Sequence, residues 1–410
     1  MAASELADLK LPNLAIEDAA FAANPAEHFA AARRQNSWLA KCSVGYVVTE
    51  SKAMREILHQ DKKMVMGFNE IVQLMGATGT PWGNFIAGSV QAQSGAVHTR
   101  LRDVLRSSFT PRQANIYRKL MRDEVDRLID QHISATHLNF EEFISEYPIT
   151  VMCRIIGALP SAIPALRLSL EALGLAFSMD PKNLPELQEA VLILNNFVQE
   201  LVAERRAGER HSQDPDLLDR LLEIHAQGDI SEDELYNLLV FLFGAGYDTS
   251  KNVLTLIMYT LLDYPSVYER CGVDFAYCRR VINETLRLHS PATAARKVTQ
   301  EFVFRNVRFP VDTLLMFPWS MSGRDETAAT DPDVFNPERS GNVNHFAFGL
   351  GAHICLGQFI AKAQIEEGLQ VISQRIKNPR LAGPIRWRPF PGVWGLKGLP
   401  ITFDIASAGD

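Results

Sequence analysis

A long, uninterrupted helical pattern in the middle of the chain restricts its fold more than any other feature. Ser231 and Glu234 have the S-x-x-E spacing of a capping box, and the next proline after them is Pro265. About 30 residues at the helical rise give a rod roughly 45 Å long, which is enough to cross a whole domain. Residues 238–243 are all apolar (LLVFLF), so the sequence predicts a helix that is buried on most sides.

The centre of this helix carries residues that buried helices usually avoid. Residues 244–250 read GAGYDTS. Each glycine inside a helix costs about 1 kcal/mol relative to alanine, and Asp248 is a costly residue to bury. A rule that is broken in the best-defined element indicates a functional site, although a plain kink is the alternative. Helical spacing places four residues on one face: Phe241, Ala245, Asp248 and Thr249.

A second constraint is a glycine-rich loop at residues 348–357, FGLGAHICLG, which carries one cysteine. Residues 359–375 have helical spacing and no proline, so Cys355 is predicted to lie at the start of a helix. Unpaired backbone N–H groups and the helix dipole favour a thiolate there. The glycines permit close approach of a flat partner. A lone cysteine is more often a buried structural residue, but the full spacing F-G-x-G-x-H-x-C-x-G argues against that interpretation.

This loop resembles the haem-ligand loop of the cytochrome P-450 family, in which the cysteine thiolate binds the haem iron. The resemblance implies haem b (iron protoporphyrin IX) as cofactor, with Cys355 as the metal ligand. It also implies that Phe348 packs near the sulfur, that His353 reaches a haem propionate, and that Gly357 belongs to the cofactor site.

The centre of the long helix resembles the family's Ala/Gly-Gly-x-Asp/Glu-Thr motif, which lies on the distal side of the haem. The resemblance implies that Asp248 and Thr249 are catalytic and relay protons with local water. Ala245 would lie beside the haem and leave room for dioxygen. Lys251 is expected to pair with Asp248 and hold it ionised or turned away.

Buried haem propionates need cationic or hydrogen-bonding partners. His98 and Arg102 are one helical turn apart and give two donors on one helix face, for which a plain surface face is the alternative. Arg296 lies where the family commonly places a further propionate arginine.

Glu284 and Arg287 form an E-x-x-R pair that ends 68 residues before Cys355. Taken alone, such a pair is usually an exposed ion pair. The resemblance instead implies a buried structural pair, with Arg339 completing the network.

Composition indicates which partners and which cellular compartment to expect. The net charge of −7 over 410 residues argues against nucleic acid as the main partner. Five cysteines, without a C-x-x-C pair, suit a reducing compartment and hence the cytoplasm. Residues 1–24 contain no run long enough for a signal peptide or membrane anchor, so neither is expected.

The expected fold is mainly α with a smaller β-rich part: the cytochrome P-450 fold, as a single large domain over residues 1–410 around the long central helix. No linker or internal repeat divides the chain. The β-rich part is predicted near residues 40–65, 296–318 and 385–405. Residues 66–97 are rich in glycine and aromatic residues and are predicted to form a long irregular loop.

The resemblance implies a haem-thiolate monooxygenase that hydroxylates or O-dealkylates its substrate with one atom of dioxygen. The chain has no room for a fused reductase, so a ferredoxin or flavodoxin with an NAD(P)H-dependent reductase is the expected electron source. A docking patch is predicted at four basic residues: Arg100, Arg106, Arg112 and Lys362. Two alternatives are a peroxide-driven haem-thiolate enzyme, which the Asp248–Thr249 pair disfavours, and a haem sensor or electron carrier, which needs no proton relay.

By analogy, the substrate pocket is predicted from residues 68–97, 166–185, 241–249, 292–295 and 391–394. Glu70 is the only charged residue in 68–97, so a neutral hydrophobic molecule of terpenoid, steroid or aromatic type is expected. Some of these side chains will be ordinary core. The residues assigned to the pocket are Phe68, Ile71, Leu74, Trp82, Phe85, Phe241, Gly244, Ala245, Thr293, Val393 and Trp394.

Overall fold

The computed structural model of the chain describes residues 3–132, 135–176, 178–209, 215–340 and 345–405. Its α-helices are α1 (Ala19–Ala23), α2 (Pro25–Gln35), α3 (Ser51–Leu58), α4 (Phe68–Leu74), α5 (Pro81–Gly88), α6 (Gly95–Arg106), α7 (Pro111–His132), α8 (Phe140–Ile156), α9 (Ile163–Leu173), α10 (Leu184–Arg206), α11 (Leu217–Ala226), α12 (Glu232–Leu261), α13 (Pro265–Val273), α14 (Phe275–Leu288) and α15 (Gln358–Arg375).

The strands are shorter and form three sheets. They are β1 (Ser4–Glu5), β2 (Leu39–Cys42), β3 (Gly45–Val48), β4 (Met64–Met66), β5 (His137–Asn139), β6 (Thr293–Val298), β7 (Phe302–Phe304), β8 (Val307–Phe309), β9 (Leu314–Pro318), β10 (Ile376–Leu381) and β11 (Pro400–Ile405). The largest sheet has the order β2-β3-β9-β6-β4, and two three-stranded sheets have the orders β1-β8-β7 and β10-β11-β5.

The predicted long helix is confirmed as α12, which runs for 30 residues. Its start is the predicted capping box: the Ser231 hydroxyl accepts from the backbone N–H of Glu234, whose carboxylate accepts from the N–H of Ser231. A methyl group at Gly246 would lie 2.5 Å from the sulfur of Met152 on α8. The glycine therefore permits α12 and α8 to pack closely, which is a structural reason for one of the two helix-breaking residues.

Two hydrophobic cores meet at the cysteine loop. The larger core is mainly helical, and the smaller one lies on the five-stranded sheet and includes Leu315 and Phe317. Phe346 belongs to the sheet core, whereas Phe348 packs against the helical core. The loop that carries Cys355 is thus anchored in both.

The prediction that residues 66–97 form an irregular loop is wrong. This segment contains α4 and α5 and the start of α6. Thr80 caps α5, because its hydroxyl accepts from the N–H of Gly83, and Pro81 occupies the first helical turn. Threonine followed by proline is a helix-start signal, and the high glycine content obscured it. Of the predicted β segment 385–405, only β11 is a strand, while β10 follows α15 directly.

The Glu284–Arg287 pair is buried and fully hydrogen-bonded. All five N–H groups of the Arg287 guanidinium find acceptors: two go to the Glu284 carboxylate at 2.9 and 2.8 Å, and three to backbone carbonyls. Arg339 Nε and the backbone N–H of Asn336 each donate to Glu284 at 3.0 Å. Burial acts to raise the pKa of Glu284, but the hydrogen bonds from Arg287 and Asn336 hold that pKa below its ordinary value.

Replacing Glu284 with alanine should lower the free energy of unfolding by about 3–5 kcal/mol, because the buried Arg287 charge loses its partner. Urea unfolding and the yield of soluble protein measure this effect. The matched control is Glu338→Ala, which removes an exposed partner of Arg270 and should cost less than about 1 kcal/mol. A Glu284→Ala variant as stable as the wild type would contradict the structural role.

Candidate active site

The loop before α15 folds back on itself, so that Cys355 is hydrogen-bonded to the start of the loop. Its backbone N–H donates to the carbonyl of Phe348 at 2.7 Å, and a short 3-10 turn covers Gly351–His353. Gly349 and Gly351 both have φ near +73°, a conformation that side chains with a Cβ resist. The following helix, α15, is capped by Gly357, so the predicted place of Cys355 at a helix start is what the structure shows.

Burial raises the pKa of the Cys355 thiol above its ordinary value. Three features oppose this shift: the backbone N–H of Gly357, which donates to the sulfur, and the positive charges of Arg102 and Lys362. Lys362 lies with its Nζ 5.0 Å from the centre of the Phe348 ring. Burial thus favours the thiol in the absence of a metal, while these three groups favour the thiolate, and a thiol that binds a metal cation loses its proton outright.

Three chain segments bring four nitrogen-bearing side chains together beside this loop. The rings of His98 on α6 and His353 lie 4.0 Å apart between centroids. Arg102 Nη2 donates to the carbonyl of Ile354 at 2.8 Å. Burial, together with the charges of His98, Arg296 and Arg102, lowers the pKa of His353 to about 3. The four predicted propionate partners therefore form one cluster.

The long helix has an accessible stripe within its otherwise buried length. Phe243 and Tyr247 are fully buried, but Ala245 is exposed and Phe241 and Thr249 are half-buried. The Thr249 hydroxyl donates to the carbonyl of Ala245 at 2.9 Å.

Asp248 is turned away from that stripe and is only 2% exposed. Its Oδ1 accepts from Arg388 Nη1 at 2.7 Å and from Asn252 Nδ2 at 3.1 Å. Within the described ranges, Asp248 and Thr249 form no hydrogen bond with each other, and Oδ2 of Asp248 has no partner. The acid and the alcohol are adjacent in sequence but face different surroundings.

Lys251 has a different main partner from the one predicted. Its Nζ lies 2.7 Å from Glu141 on α8 and 3.5 Å from Asp248 Oδ1. Burial acts to lower the pKa of Arg388, but the charge of Asp248 and the hydrogen bond to it raise that pKa overall. Arg388 is therefore the principal cation beside Asp248, and no local sequence pattern indicates this pairing because the two residues are 140 positions apart.

The end of α9 rests directly on this ion pair. A methyl group at Gly174, the residue after α9, would lie 2.0 Å from Asp248 Oδ2 and 2.5 Å from Arg388 Nη2. Only glycine permits this approach, so the backbone at Gly174 closes off the unpartnered oxygen of Asp248.

Comparison with known proteins assigns the chain to a family. A family model described as Cytochrome P450 matches residues 169–376, just over half of the chain. A luteothin monooxygenase of Streptomyces thioluteus is 30% identical over 379 residues, which are 91% of this chain and 92% of that protein. The chain belongs to the cytochrome P450 family. It is also 26% identical to a 6-deoxyerythronolide B hydroxylase of Saccharopolyspora erythraea, covering 78% of this chain and 79% of that protein.

Solved P450 structures have the same fold. P450BioI, in complex with an acyl carrier protein ligated to hexadec-9Z-enoic acid, superposes with a TM-score of 0.84 at 23% identity, covering 94% of this chain and all of that chain. Epothilone B-bound P450epoK gives 0.85 at 18% identity, over 96% and 100% of the two chains. The predicted P450 fold is confirmed, and family membership makes the protein a monooxygenase that uses haem iron.

About half of the predicted P450 pocket residues are buried. Phe68, Ile71, Trp82, Phe85 and Trp394 are buried, and Leu74 at the end of α4 is 52% exposed on the surface. Trp394 shows the reason, because it stacks on Trp387 and donates its Nε1–H to the carbonyl of Ala22. The predicted residues that remain accessible or half-buried are Phe241, Gly244, Ala245, Thr293 and Val393.

Of the predicted docking residues, Arg100 is already paired, because its guanidinium binds both oxygens of Glu234 at 3.0 and 2.5 Å. Arg106 pairs with Asp103 but is largely exposed, and Arg112 is exposed without an ion pair to any described residue. Throughout the part of the chain that the structure describes, no helix combines the length and apolar character that a membrane span requires.

Replacing Arg388 with methionine should destabilise the protein by about 3–5 kcal/mol, because the Asp248 carboxylate stays buried without its principal cation. Combining it with Asp248→Asn should restore part of the loss, which urea unfolding of the single and double variants measures as a coupling energy. Arg380→Met, which removes an exposed partner of Asp404, is the control. Strictly additive effects would contradict the pairing.

Proposed function

We propose that this P450 inserts one atom of dioxygen into a neutral, hydrophobic small molecule, by hydroxylation or O-dealkylation. The observation that carries the proposal is the accessible stripe of α12, where Phe241 and Ala245 offer apolar surface and Thr249 offers one hydroxyl. Apolar pockets with few polar groups bind apolar ligands. The names of two relatives, luteothin monooxygenase and 6-deoxyerythronolide B hydroxylase, agree with oxidation of an organic molecule.

The residues around Cys355 fit haem b as the cofactor. Cys355 would hold the iron, and His98, Arg102, Arg296 and His353 would hold the propionates. A methyl group at Gly357 would meet no atom within 4 Å, so the chain leaves space beside the loop. When bound, the cofactor supplies the reductive activation of dioxygen.

Asp248 and Thr249 would deliver protons to the reacting oxygen. The Thr249 hydroxyl is held by the Ala245 carbonyl on the accessible stripe, where it can turn to accept a proton from water and donate its own. Arg388 donates to Oδ1 of Asp248, and Oδ2 has no hydrogen-bond partner among the described residues, so Oδ2 is the oxygen that would exchange protons with water. Because Gly174 covers Oδ2, the end of α9 must move before water reaches it.

An acidic ferredoxin or flavodoxin, reduced by an NAD(P)H-dependent reductase, would supply the electrons. Arg106, Arg112 and Lys362 remain as its docking residues, whereas Arg100 is committed to Glu234. Complementary charge mainly increases the rate of such encounters. All five cysteines are free thiols, which supports a reducing, cytoplasmic location.

The ligand assignment predicts that Cys355→His abolishes the carbon-monoxide difference band that gives the family its number. Imidazole can bind iron, but it lacks the electron donation of a thiolate. The measurement is the spectrum of the reduced, carbon-monoxide-treated protein, with Cys42→Ser as the control cysteine variant. If the band persists in Cys355→His, a different residue holds the iron.

Replacing Thr249 with alanine should uncouple electron consumption from product formation. General acid–base groups typically contribute roughly 10²–10⁴-fold, so product formed per NAD(P)H should fall clearly while hydrogen peroxide rises. Product, peroxide and NAD(P)H are measured side by side, with suitable redox partners and a substrate found by screening hydrophobic compounds.

Two further variants serve as controls for Thr249→Ala. Thr249→Ser keeps the hydroxyl and should keep the coupling. Thr255→Ala removes a hydroxyl that also bonds four residues back on α12 but lies in the core, and it should leave coupling unchanged. Equal coupling in Thr249→Ala and the wild type would mean that protons arrive by another route.

A further inference from the structure

Arg296, one of the proposed propionate partners, already has an acidic partner within the chain. Its side chain is 2% exposed, and its Nε donates to Asp61 Oδ1 at 3.0 Å. Nη1 donates to the carbonyl of Ala295, and Nη2 has no hydrogen-bond partner among the described residues. A guanidinium has five N–H donors, so Arg296 can hold a second carboxylate while it remains bound to Asp61.

Asp61 lies where the largest sheet meets the cysteine loop. It begins a 3-10 turn, Asp61–Lys63, that leads into β4, and Met66 of β4 is paired in register with Arg296 of β6. On its other side, Oδ2 of Asp61 would lie 3.3 Å from a methyl group at Gly351. Asp61 therefore lies between the two parts of the chain that would hold the cofactor: strand β6, which carries Arg296, and the loop that carries Cys355.

The contact fixes the arginine in two ways. A carboxylate on Nε sets the plane of the guanidinium and leaves the Nη edge for another anion, since the donors of arginine have a rigid arrangement. Burial lowers the pKa of Arg296, and the charge of Asp61 and the hydrogen bond to it oppose that shift. Asp61 thus favours both the orientation and the charge that a propionate requires.

The same carboxylate adds a negative charge close to the proposed cofactor. Reduction adds an electron to the haem, and a nearby negative charge makes this addition less favourable. We propose that Asp61 is a positioning residue for the cofactor: it orients Arg296 toward a haem propionate and lowers the reduction potential of the haem iron. The inference rests on the proposed function, which places haem propionates at this cluster.

The test compares Asp61→Asn, Asp61→Ala and Asp61→Glu in the haem-loaded protein. Asparagine keeps an acceptor for Nε of Arg296 but removes the negative charge, so the reduction potential of the haem should rise. In a redox titration, the ratio of reduced to oxidised haem at a fixed applied potential should be about three- to tenfold higher. Glutamate should retain the wild-type potential. Alanine also removes the acceptor, so haem transfer to apomyoglobin should be several-fold faster than from Asp61→Asn.

Asp312→Asn is the matched control, because it removes the same charge from an exposed partner of Lys297, the neighbour of Arg296, and should change neither quantity. An unchanged potential in Asp61→Asn would overturn the electrostatic part, and equal haem transfer in Asp61→Ala and the wild type would overturn the orienting part. Absence of the carbon-monoxide band in the wild-type protein would instead contradict the proposed function itself.

Discussion

The requirement to give one buried carboxylate on the long central helix a cationic and hydrogen-bonding environment determines how several distant segments are arranged. Asp248 lies in the middle of α12, where an uncompensated charge would be strongly destabilising. Arg388 is brought to it from the C-terminal part of the chain, and Asn252 from the next turn of the same helix. Gly174 then closes over the pair. The segments packed around α12 therefore contact this carboxylate and its partner as well as the apolar side chains of the helix.

Glu284 and Asp248, two of the buried acids among the described residues, differ in how completely their oxygens are hydrogen-bonded. The oxygens of Glu284 are bonded by two arginines and a backbone N–H, and every donor of Arg287 is used. Such a closed network has no position for a substrate or water and rigidifies its surroundings. Asp248 has one bonded oxygen and one without a partner. This unpartnered oxygen, covered by Gly174, is the one that the proposed function uses for proton exchange.

Local sequence patterns predicted the features that depend on local chain geometry, whereas the long-range partners of Asp248 and Arg296 were missed. The capping box at Ser231, the length of α12 and the position of Cys355 at a helix start all depend on residues a few positions apart. Arg388 and Asp61 meet their partners across 140 and 235 positions, and no periodicity records such contacts. Apolar side chains of core and pocket have the same composition, so the sequence does not distinguish whether a buried residue such as Trp82 or Trp394 lines the pocket or belongs to the core.

The placement of the cysteine loop between two hydrophobic cores has a consequence for how a bound cofactor would affect stability. Phe346 packs with the sheet core, Phe348 with the helical core, and Leu350 again with the sheet core. A cofactor held by this loop would pack against side chains of both cores. Whatever binds the native but not the unfolded chain stabilises the native state by mass action. Loss of the cofactor would then remove packing contacts from both cores at once, so its stabilising effect would extend to the sheet as well as to the helices.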